Sequence, residues 1–379
     1  VYVYGGTVPY REIKLSSTGA VIWSFTNPMT DPMFSGAFYG DFAVDQNSQR
    51  SYITEGFNQA GARVLKVSAG GVQLGISPQN SKMNEMWRIV YNNCSHKFVI
   101  AGGGTNTPSA QAVVLDTSVS TITVADPLSN SGAHDDMTLL CQDNSGNAYM
   151  ATSYFSNASN NNMMVKVPIP ALTPFVFKVS DGYAFGEISS ISYYPTVAGF
   201  SAGNGFNGMA VSANFLYTYD GSVLKKWNIN TGVLIGSAVV TGTSFTSGGL
   251  TVDECDNIYV GSGSSIKQYN VGLGLVTTIA TTGTVYDLKL GAGNLLYACG
   301  AGFVSEILLT TTPCSQMNIT VTPTGGNCSA GTASVTVTGG TGPFSYLWNP
   351  SGQTTAAAVG LASGNYTVTV METSTCIPK

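Results

Sequence analysis

Residues 248–280 read GGLTVDECDNIYVGSGSSIKQYNVGLGLVTTIA, and this stretch decides the fold. Runs of apolar, β-branched and aromatic residues alternate in it with turns of Gly, Ser, Asn and Asp. The runs predict four strands, at 249–253, 258–261, 265–269 and 275–280. Short runs separated by such turns are typical of antiparallel strands joined by hairpins. The stretch therefore predicts one four-stranded antiparallel sheet.

The same unit recurs along the chain. Its first hairpin, TVDECDNIYVGSG (251–263), has counterparts in AVDQNSQRSYITEG (43–56), LLCQDNSGNAYMATS (139–153) and LKLGAGNLLYACG (288–300). Each counterpart has an apolar strand, a polar turn, a strand with an aromatic residue, and then small residues. A four-stranded unit that recurs at about 40–50 residues is typical of β-propeller blades. The sequence therefore predicts an all-β propeller over residues 1–312.

Tracing the unit along the chain gives seven blades. The first lacks its first strand and the last lacks a clear fourth strand, so those strands must come from outside the obvious pattern. An irregular stretch at 180–207 separates the fourth unit from the fifth, which leaves six or eight blades open. Small residues at the end of each second strand fit a place where blades crowd around a central channel.

The third strand of the unit often carries one lysine between apolar neighbours. This alternation predicts a strand with one face in the core and the other in water. The lysines in question are Lys14, Lys66, Lys166, Lys225 and Lys267.

The character of the chain changes at the Thr/Pro-rich segment TTTPCSQ (310–316). Five further β-rich runs follow, separated by the turn sequences GG, GTGP, NPSG and ASGN. This pattern predicts a second domain at 313–379, a small β-sandwich of immunoglobulin-like proportions.

Composition narrows the class of protein. Charged residues make up 9% of the 379 residues and the net charge is −5. No cluster of Lys and Arg is present, which argues against nucleic-acid binding, and no apolar run is long enough for a membrane span. A chain rich in Asn, Ser and Thr and poor in Lys favours an extracellular surface. Because it begins at Val1 inside a strand, we expect it to be part of a longer protein.

The second domain resembles a known family. It contains Cys328, GGTGPFSYLW (339–348), GLASGNYTVTV (360–370) and Cys376. These parts, with the Gln353–Thr355 turn, resemble the SprB-type repeat of large cell-surface and gliding-associated proteins of Bacteroidota. The usual closing Asn-Gly-Cys is Ser-Thr-Cys here, at 374–376. The resemblance implies an extracellular Ig-like module in a protein exported by the type IX secretion system, and it implies no enzymatic activity.

The chain has seven cysteines. Cys328 and Cys376 bracket the sandwich, and small exported domains often need such a staple, so we predict a disulfide between them. In the propeller the pairings considered are Cys94–Cys141 and Cys255–Cys314, with Cys299 as the odd thiol. The sequence alone does not fix this connectivity.

No catalytic, cofactor or metal site is predicted. His134-Asp135-Asp136 is the most polar cluster, and a solvated turn explains it better than a cation site. DNSGN (143–147) and DECDN (253–257) carry oxygen ligands but lack the loop of an EF-hand, so Asx-rich turns are the simpler interpretation. A G-x-G-x-x-G match at 203–208 follows a loop, which argues against dinucleotide binding.

Aromatic residues gather in the irregular stretch and form a candidate surface for a partner or glycan. The alternative is that they cover a blade edge. They are Tyr183, Phe185, Tyr193, Tyr194, Phe200 and Phe206.

These observations predict a non-catalytic surface protein, an adhesin or a filament segment, whose partners are other surface proteins, copies of itself or extracellular glycans. The alternative is a lectin-like or carbohydrate-active propeller. That alternative needs a carboxylate pair or an aromatic platform at one mouth of the channel, for which Asp135, Asp136 and the aromatic residues of 181–207 are the candidates.

Overall fold

The computed structural model contains strands and no helix among the residues it describes. Two compact units divide the chain, Val1–Leu309 and Thr310–Lys379. The described residues are 1–6, 9–29, 40–58, 60–80, 83–92, 95–103, 112–120, 122–125, 137–143, 146–152, 164–168, 208–219, 221–242, 247–253, 255–291, 294–309, 318–325, 331–338 and 344–372.

Seven antiparallel sheets follow one another in the described part of the first unit. Sheets 1 to 3 are formed by β1 (Tyr2–Gly5), β2 (Arg11–Leu15) and β3 (Val21–Thr26); by β4 (Phe42–Asp45), β5 (Arg50–Thr54), β6 (Val64–Val67) and β7 (Gln73–Ile76); and by β8 (Glu85–Asn92), β9 (Lys97–Gly103), β10 (Ala112–Asp116) and β11 (Ile122–Ala125).

Sheets 4 and 5 are formed by β12 (Met137–Gln142), β13 (Asn147–Thr152) and β14 (Met164–Pro168), and by β15 (Gly208–Val211), β16 (Phe215–Tyr219), β17 (Val223–Asn228) and β18 (Leu234–Val239). Sheets 6 and 7 are formed by β19 (Leu250–Val252), β20 (Ile258–Gly261), β21 (Ser265–Tyr269) and β22 (Leu275–Ala280), and by β23 (Val285–Leu290), β24 (Leu295–Gly300) and β25 (Phe303–Leu308).

Every sheet keeps its strands in chain order, as hairpin-connected strands do. The four strands predicted within 248–280 lie within a few residues of β19 to β22. The irregular stretch at 180–207 lies outside the described residues.

The first strands of successive sheets contact one another in series, from β4 through β8, β12, β15 and β19 to β23. Buried clusters fill the space between neighbouring sheets. Tyr52 of sheet 2 packs with Phe98 of sheet 3, Tyr149 of sheet 4 with Trp227 of sheet 5, and Tyr259 of sheet 6 with Leu288 of sheet 7. Each sheet therefore buries its faces against its neighbours, as the blades of a propeller do.

Small residues at the end of the second strands have a local cause. A Cβ on Gly102 would overlap the carbonyl oxygen of Glu85, and a Cβ on Gly300 would overlap that of Thr284. In both sheets the first strand is bulged next to this point, between Met86 and Arg88 in one and between Val285 and Asp287 in the other. The crowding therefore arises within each sheet, where the bulged first strand approaches its neighbour.

Three third-strand lysines, Lys14, Lys66 and Lys226, hydrogen-bond to the following sheet, and we call them the linking lysines. The Lys66 Nζ donates to the carbonyl of Thr117 at 2.6 Å, and the Lys226 Nζ donates to the carbonyl of Val271 at 2.7 Å. Both carbonyls belong to the turn between the third and fourth strands of the following sheet. Lys14 makes the same contact with Ala69 at 3.5 Å.

Because neighbouring sheets pack against each other, the ammonium group of each linking lysine reaches a carbonyl of the next sheet. In sheet 5 the lysine in this position is Lys226, whereas the sequence pattern indicated Lys225. The predicted Lys267 is also buried, and its Nζ donates to Thr241 Oγ1 at 2.5 Å. An aromatic ring of the second strand lies under each linking lysine, and Lys226 is 3.6 Å from the centroid of Phe215.

In the second unit, described by itself, two sheets share one core. They are formed by β26 (Asn318–Thr324), β27 (Gly331–Thr338) and β29 (Ala357–Leu361), and by β28 (Phe344–Asn349) and β30 (Thr367–Glu372). Trp348 of β28 is buried against Val335 of β27 and Val370 of β30. The Trp348 Nε1 donates to the carbonyl of Thr355 at 2.9 Å.

We expect Gly102→Ala to lower the free energy of unfolding by about 1–3 kcal/mol, because the added methyl group overlaps backbone atoms of β8. Gly70→Ala is the matched control, since its nearest neighbour would be the Ser68 hydroxyl at 3.9 Å. Chemical denaturation measures both. Equal stability of the two variants would contradict the backbone contact.

Replacing Lys66 with Met should lower the free energy of unfolding by about 1–2 kcal/mol, because the hydrogen bond to sheet 3 and the contact with the Tyr52 ring are lost. The same substitution at half-buried Lys97 serves as the control. Denaturant titration is the measurement, and no difference between the two variants would remove the proposed role of the lysine.

Candidate functional site

The predicted aromatic surface lies outside the described residues, as do His134, Asp135 and Asp136. This holds for Tyr183, Phe185, Tyr193, Tyr194, Phe200 and Phe206. They stay predictions.

The two acidic turns are Asx turns, as predicted. Asp253 Oδ1 accepts the backbone amide of Asn257 at 2.9 Å, and Oδ2 accepts its side-chain amide at 2.9 Å. Asp143 holds Asn147 in the same way, at 2.9 and 2.8 Å. Tyr149 also donates its hydroxyl to Asp143, at 3.1 Å. These carboxylates are therefore occupied by their own turns. In the part of the chain that the structure describes, no three His, Cys, Asp or Glu side chains form a group that could hold a metal ion.

Cysteine pairing differs from the prediction at one position. Cys141 is a free thiol, so the pairing Cys94–Cys141 is wrong. Its side chain packs against the core between sheets 4 and 5 and does not face a turn, and burial raises its pKa.

Of the remaining cysteines, the structure describes Cys255 and Cys299. Cys299 is free, as predicted, and burial raises its pKa to about 12. Cys255 is disulfide-bonded. Cys94, Cys314, Cys328 and Cys376 lie outside the described residues, so the pairings Cys255–Cys314 and Cys328–Cys376 stay predictions.

Charged residues from three sheets meet near the first strands. Asp41 directly precedes β4, Arg88 lies on β8 and Asp287 lies on β23. Asp41 Oδ1 accepts the amide of Phe42 at 2.8 Å, and Oδ2 accepts the amide of Ile89 at 3.1 Å. We call Asp41, Arg88 and Asp287 the axial cluster.

Electrostatics couple the three residues. Burial is the largest influence on Asp41 and raises its pKa, and the charge of Asp287 raises it further. The Arg88 guanidinium and the amide of Ile89 act in the opposite direction. The coupling joins the second sheet to the seventh, so their first strands lie within electrostatic reach of each other.

The axial cluster was not predicted from the sequence. Its signal is a charged residue between apolar neighbours in a first strand, as in MWRIV (86–90) and VYDL (285–288). In a chain with only 9% charged residues such an interruption is informative.

A second candidate site is the outer rim. The last strands of sheets 1, 2, 5 and 6 are each bulged opposite the preceding strand, at the position of the linking lysine or its counterpart. The extra residue is an exposed aliphatic side chain in every case. These residues, which we call the rim residues, are Ile22, Leu74, Ile235 and Val276, and they are 57%, 50%, 50% and 52% exposed.

Further apolar side chains extend the rim. Val21, Val72, Leu234 and Leu275 lie within two residues of the rim residues and are also exposed. Exposed apolar groups that form contiguous patches mark contact surfaces more often than single ones do. The strands β18 and β22 contain no charged residue and no proline, the features that usually protect a sheet edge from association.

Comparison with known proteins identifies one repeat and a general fold. The sequence model of the SprB repeat matches residues 327–353, so the second unit carries an SprB repeat. No curated protein matches the sequence.

Solved structures resemble the first unit at low identity. U3-55K is 12% identical, with a TM-score of 0.52, over 78% of this chain and 84% of that chain. A gluconolactonase from Xanthomonas campestris is 15% identical, with a TM-score of 0.43, over 71% and 84%. BamB from Moraxella catarrhalis is 11% identical, with a TM-score of 0.46, over 80% and 95%. The likeness to U3-55K supports an all-β, propeller-like fold and nothing about function.

No helix among the described residues is long and apolar enough to cross a membrane.

We expect opposite shifts of the Asp41 pKa in two variants. Arg88→Met removes the favourable charge and should raise it, whereas Asp287→Asn removes the repulsion and should lower it. Carboxyl NMR of protein labelled at aspartate measures the titration, and Lys97→Met is the control. Unchanged titration in both variants would show that the three residues are not coupled.

Proposed function

We propose that this chain is a segment of a bacterial cell-surface protein that acts through contacts rather than catalysis. Its first unit is a seven-bladed propeller that serves as the contact head, and its second unit is an Ig-like module of the stalk. The observation that carries the proposal is the SprB repeat at 327–353, which follows a propeller-like unit. The resemblance of this repeat to modules of cell-surface proteins supports an extracellular location.

Seven blades are supported by the seven sheets and by the electrostatic coupling of Asp41 in sheet 2 to Asp287 in sheet 7. The linking lysines also support the assignment of strands. Lys14 lies on β2 and Lys66 on β6, in equivalent positions, so β1 to β3 correspond to strands two to four of a blade. The two small sheets of the second unit, which share one core, support the Ig-like assignment.

The contact surface we assign is the outer rim. Exposed aliphatic side chains recur there at one structural position in four sheets, as a repeated adhesive surface requires. The low fraction of charged residues, 9%, permits close approach of two such surfaces. Export through the type IX system, a role in gliding or adhesion, and the Cys328–Cys376 staple belong to the same proposal.

Carbohydrate binding or carbohydrate chemistry at the axis is the second candidate. The axial cluster favours it, because Asp41 and Asp287 supply two carboxyl groups that influence each other from different sheets. A polar ligand at this place would contact both carboxylates and the Arg88 guanidinium. The two candidates use different surfaces, so one set of variants separates them.

The test uses the purified chain on beads and the same chain on a glycan array. Ile235→Lys with Val276→Lys should reduce clustering of the coated beads at least tenfold, because a buried lysine opposes apolar contact. Thr277→Lys adds a lysine at an exposed position of β22 that is not a rim residue, and it is the control for the added charge.

Arg88→Met with Asp287→Asn should leave bead clustering unchanged. Glycan binding that this pair abolishes, with clustering unaffected by the rim variants, would overturn the contact proposal in favour of the second candidate. Electron microscopy of the native material then distinguishes regular fibres from isolated heads on stalks. Antibody labelling of intact cells checks the extracellular location.

A further inference from the structure

Glu12 breaks the repeat of the first unit. It lies on β2, two residues before Lys14, the residue next to which β3 is bulged opposite β2. The same position in the other sheets, read from the same bulge, holds an aliphatic residue: Val64, Leu224 and Ile266. All four side chains are almost completely buried. A carboxyl group therefore occupies a place that the repeat gives to an apolar side chain.

A second departure lies opposite the first. Ser51, on β5 of sheet 2, pairs with Val67, the residue that follows the linking lysine. The residues in this position of sheets 5 and 6 are Leu216 and Ile258, which are apolar and buried. The Ser51 hydroxyl donates to Glu12 Oε2 at 2.7 Å. Two polar substitutions therefore meet between sheets 1 and 2, within an otherwise apolar core.

The pair is incompletely satisfied. Glu12 Oε1 is buried and accepts no hydrogen bond. The ionisable groups that face Glu12 among the described residues are the Tyr4 phenol on β1, which pairs with it in the sheet, and the Lys14 ammonium on its own strand. From sheet 2 the facing group is the neutral Ser51 hydroxyl. Burial raises the pKa of Tyr4, so the phenol supplies no charge near neutral pH.

We propose that the Glu12–Ser51 pair is a pH-sensitive latch between the first and second sheets. With a neutral carboxyl, the buried pair fits between the sheets. With an ionised carboxyl, a charge with one unpaired oxygen is left in the core, and sheet 1 separates more readily from sheet 2.

The direction of the effect follows from linkage. Burial raises the pKa of Glu12 from 4.5 to about 7, against the smaller opposing effects of the Ser51 hydrogen bond and the Lys14 charge. The folded state therefore binds this proton more tightly than an open state does. The stabilisation that the protonated Glu12 carboxyl gives the folded state is complete below about pH 4.5 and is lost as the pH rises to about 7. Opening of sheet 1 should grow by up to about 300-fold from well below pH 4.5 to well above pH 7, and by about 80-fold between those two values.

The latch acts on part of the proposed contact surface. Sheet 1 carries Val21 and Ile22 of the rim, and it is tied to sheet 2 through Lys14 and Trp23, which both donate to the carbonyl of Ala69. Separation of sheet 1 from sheet 2 therefore displaces Ile22, one of the four rim residues. The inference goes beyond the proposed function and stands or fails separately from it, because it concerns only the contact between these two sheets.

Hydrogen–deuterium exchange of the full chain between pH 4.5 and 8 tests the latch. After correction for intrinsic exchange rates, the opening constant of peptides covering β1 to β3 should rise in the wild type by more than 30-fold. Glu12→Gln, which cannot ionise, should remove this rise. Glu306→Gln, on an exposed position of β25, is the matched control and should behave as the wild type does.

The double variant Glu12→Leu with Ser51→Ala restores the apolar pattern of the other sheets and should be closed at every pH. A pH-dependent opening that persists in Glu12→Gln would overturn the proposal. If the double variant does not fold, carboxyl NMR of glutamate-labelled wild type gives the answer directly. A Glu12 titration near pH 4.5 would then refute the latch, and one near pH 7 would support it.

Discussion

Inner strands such as β5, β9, β16 and β20 are buried at nearly every position, and therefore on both faces. No helix lies among the described residues to cover them, so neighbouring sheets must cover one another. Large aromatic side chains such as Tyr52, Tyr149 and Tyr259 are completely buried between neighbouring sheets. At the same interfaces, Lys66 and Lys226 extend to carbonyls of the following turn. One constraint thus explains both the apolar core and the polar links across it.

Strand positions were predictable from the sequence because apolar alternation and turn residues are local signals. The Asx turns at Asp143 and Asp253 were predictable for the same reason. The bulges were not, since a one-residue shift such as that between Lys226 and Trp227 leaves no mark on the pattern, and it misdirected the assignment of the linking lysine to Lys225. The free state of Cys141 depends on which way a strand residue faces in the core. The axial cluster depends on long-range interactions between residues of different sheets, and no short stretch of sequence contains that information.

In a repeated structure, equivalent positions of several sheets can be compared within one chain, so a residue that differs from its equivalents can be recognised. A domain without repeats offers no such comparison. When Val64, Leu224 and Ile266 occupy one position, the physical demand at that position is known to be apolar burial. A buried carboxyl group at this position stabilises the fold less than a buried aliphatic side chain does. The Ser51 hydroxyl hydrogen-bonds only one of the two Glu12 oxygens. Such a residue lowers stability above neutral pH, so packing alone does not account for it. The same argument applies to Arg88 and Asp287, which lie between apolar neighbours on β8 and β23. The axial cluster and the contact between sheets 1 and 2 are therefore places where function beyond the fold should be sought.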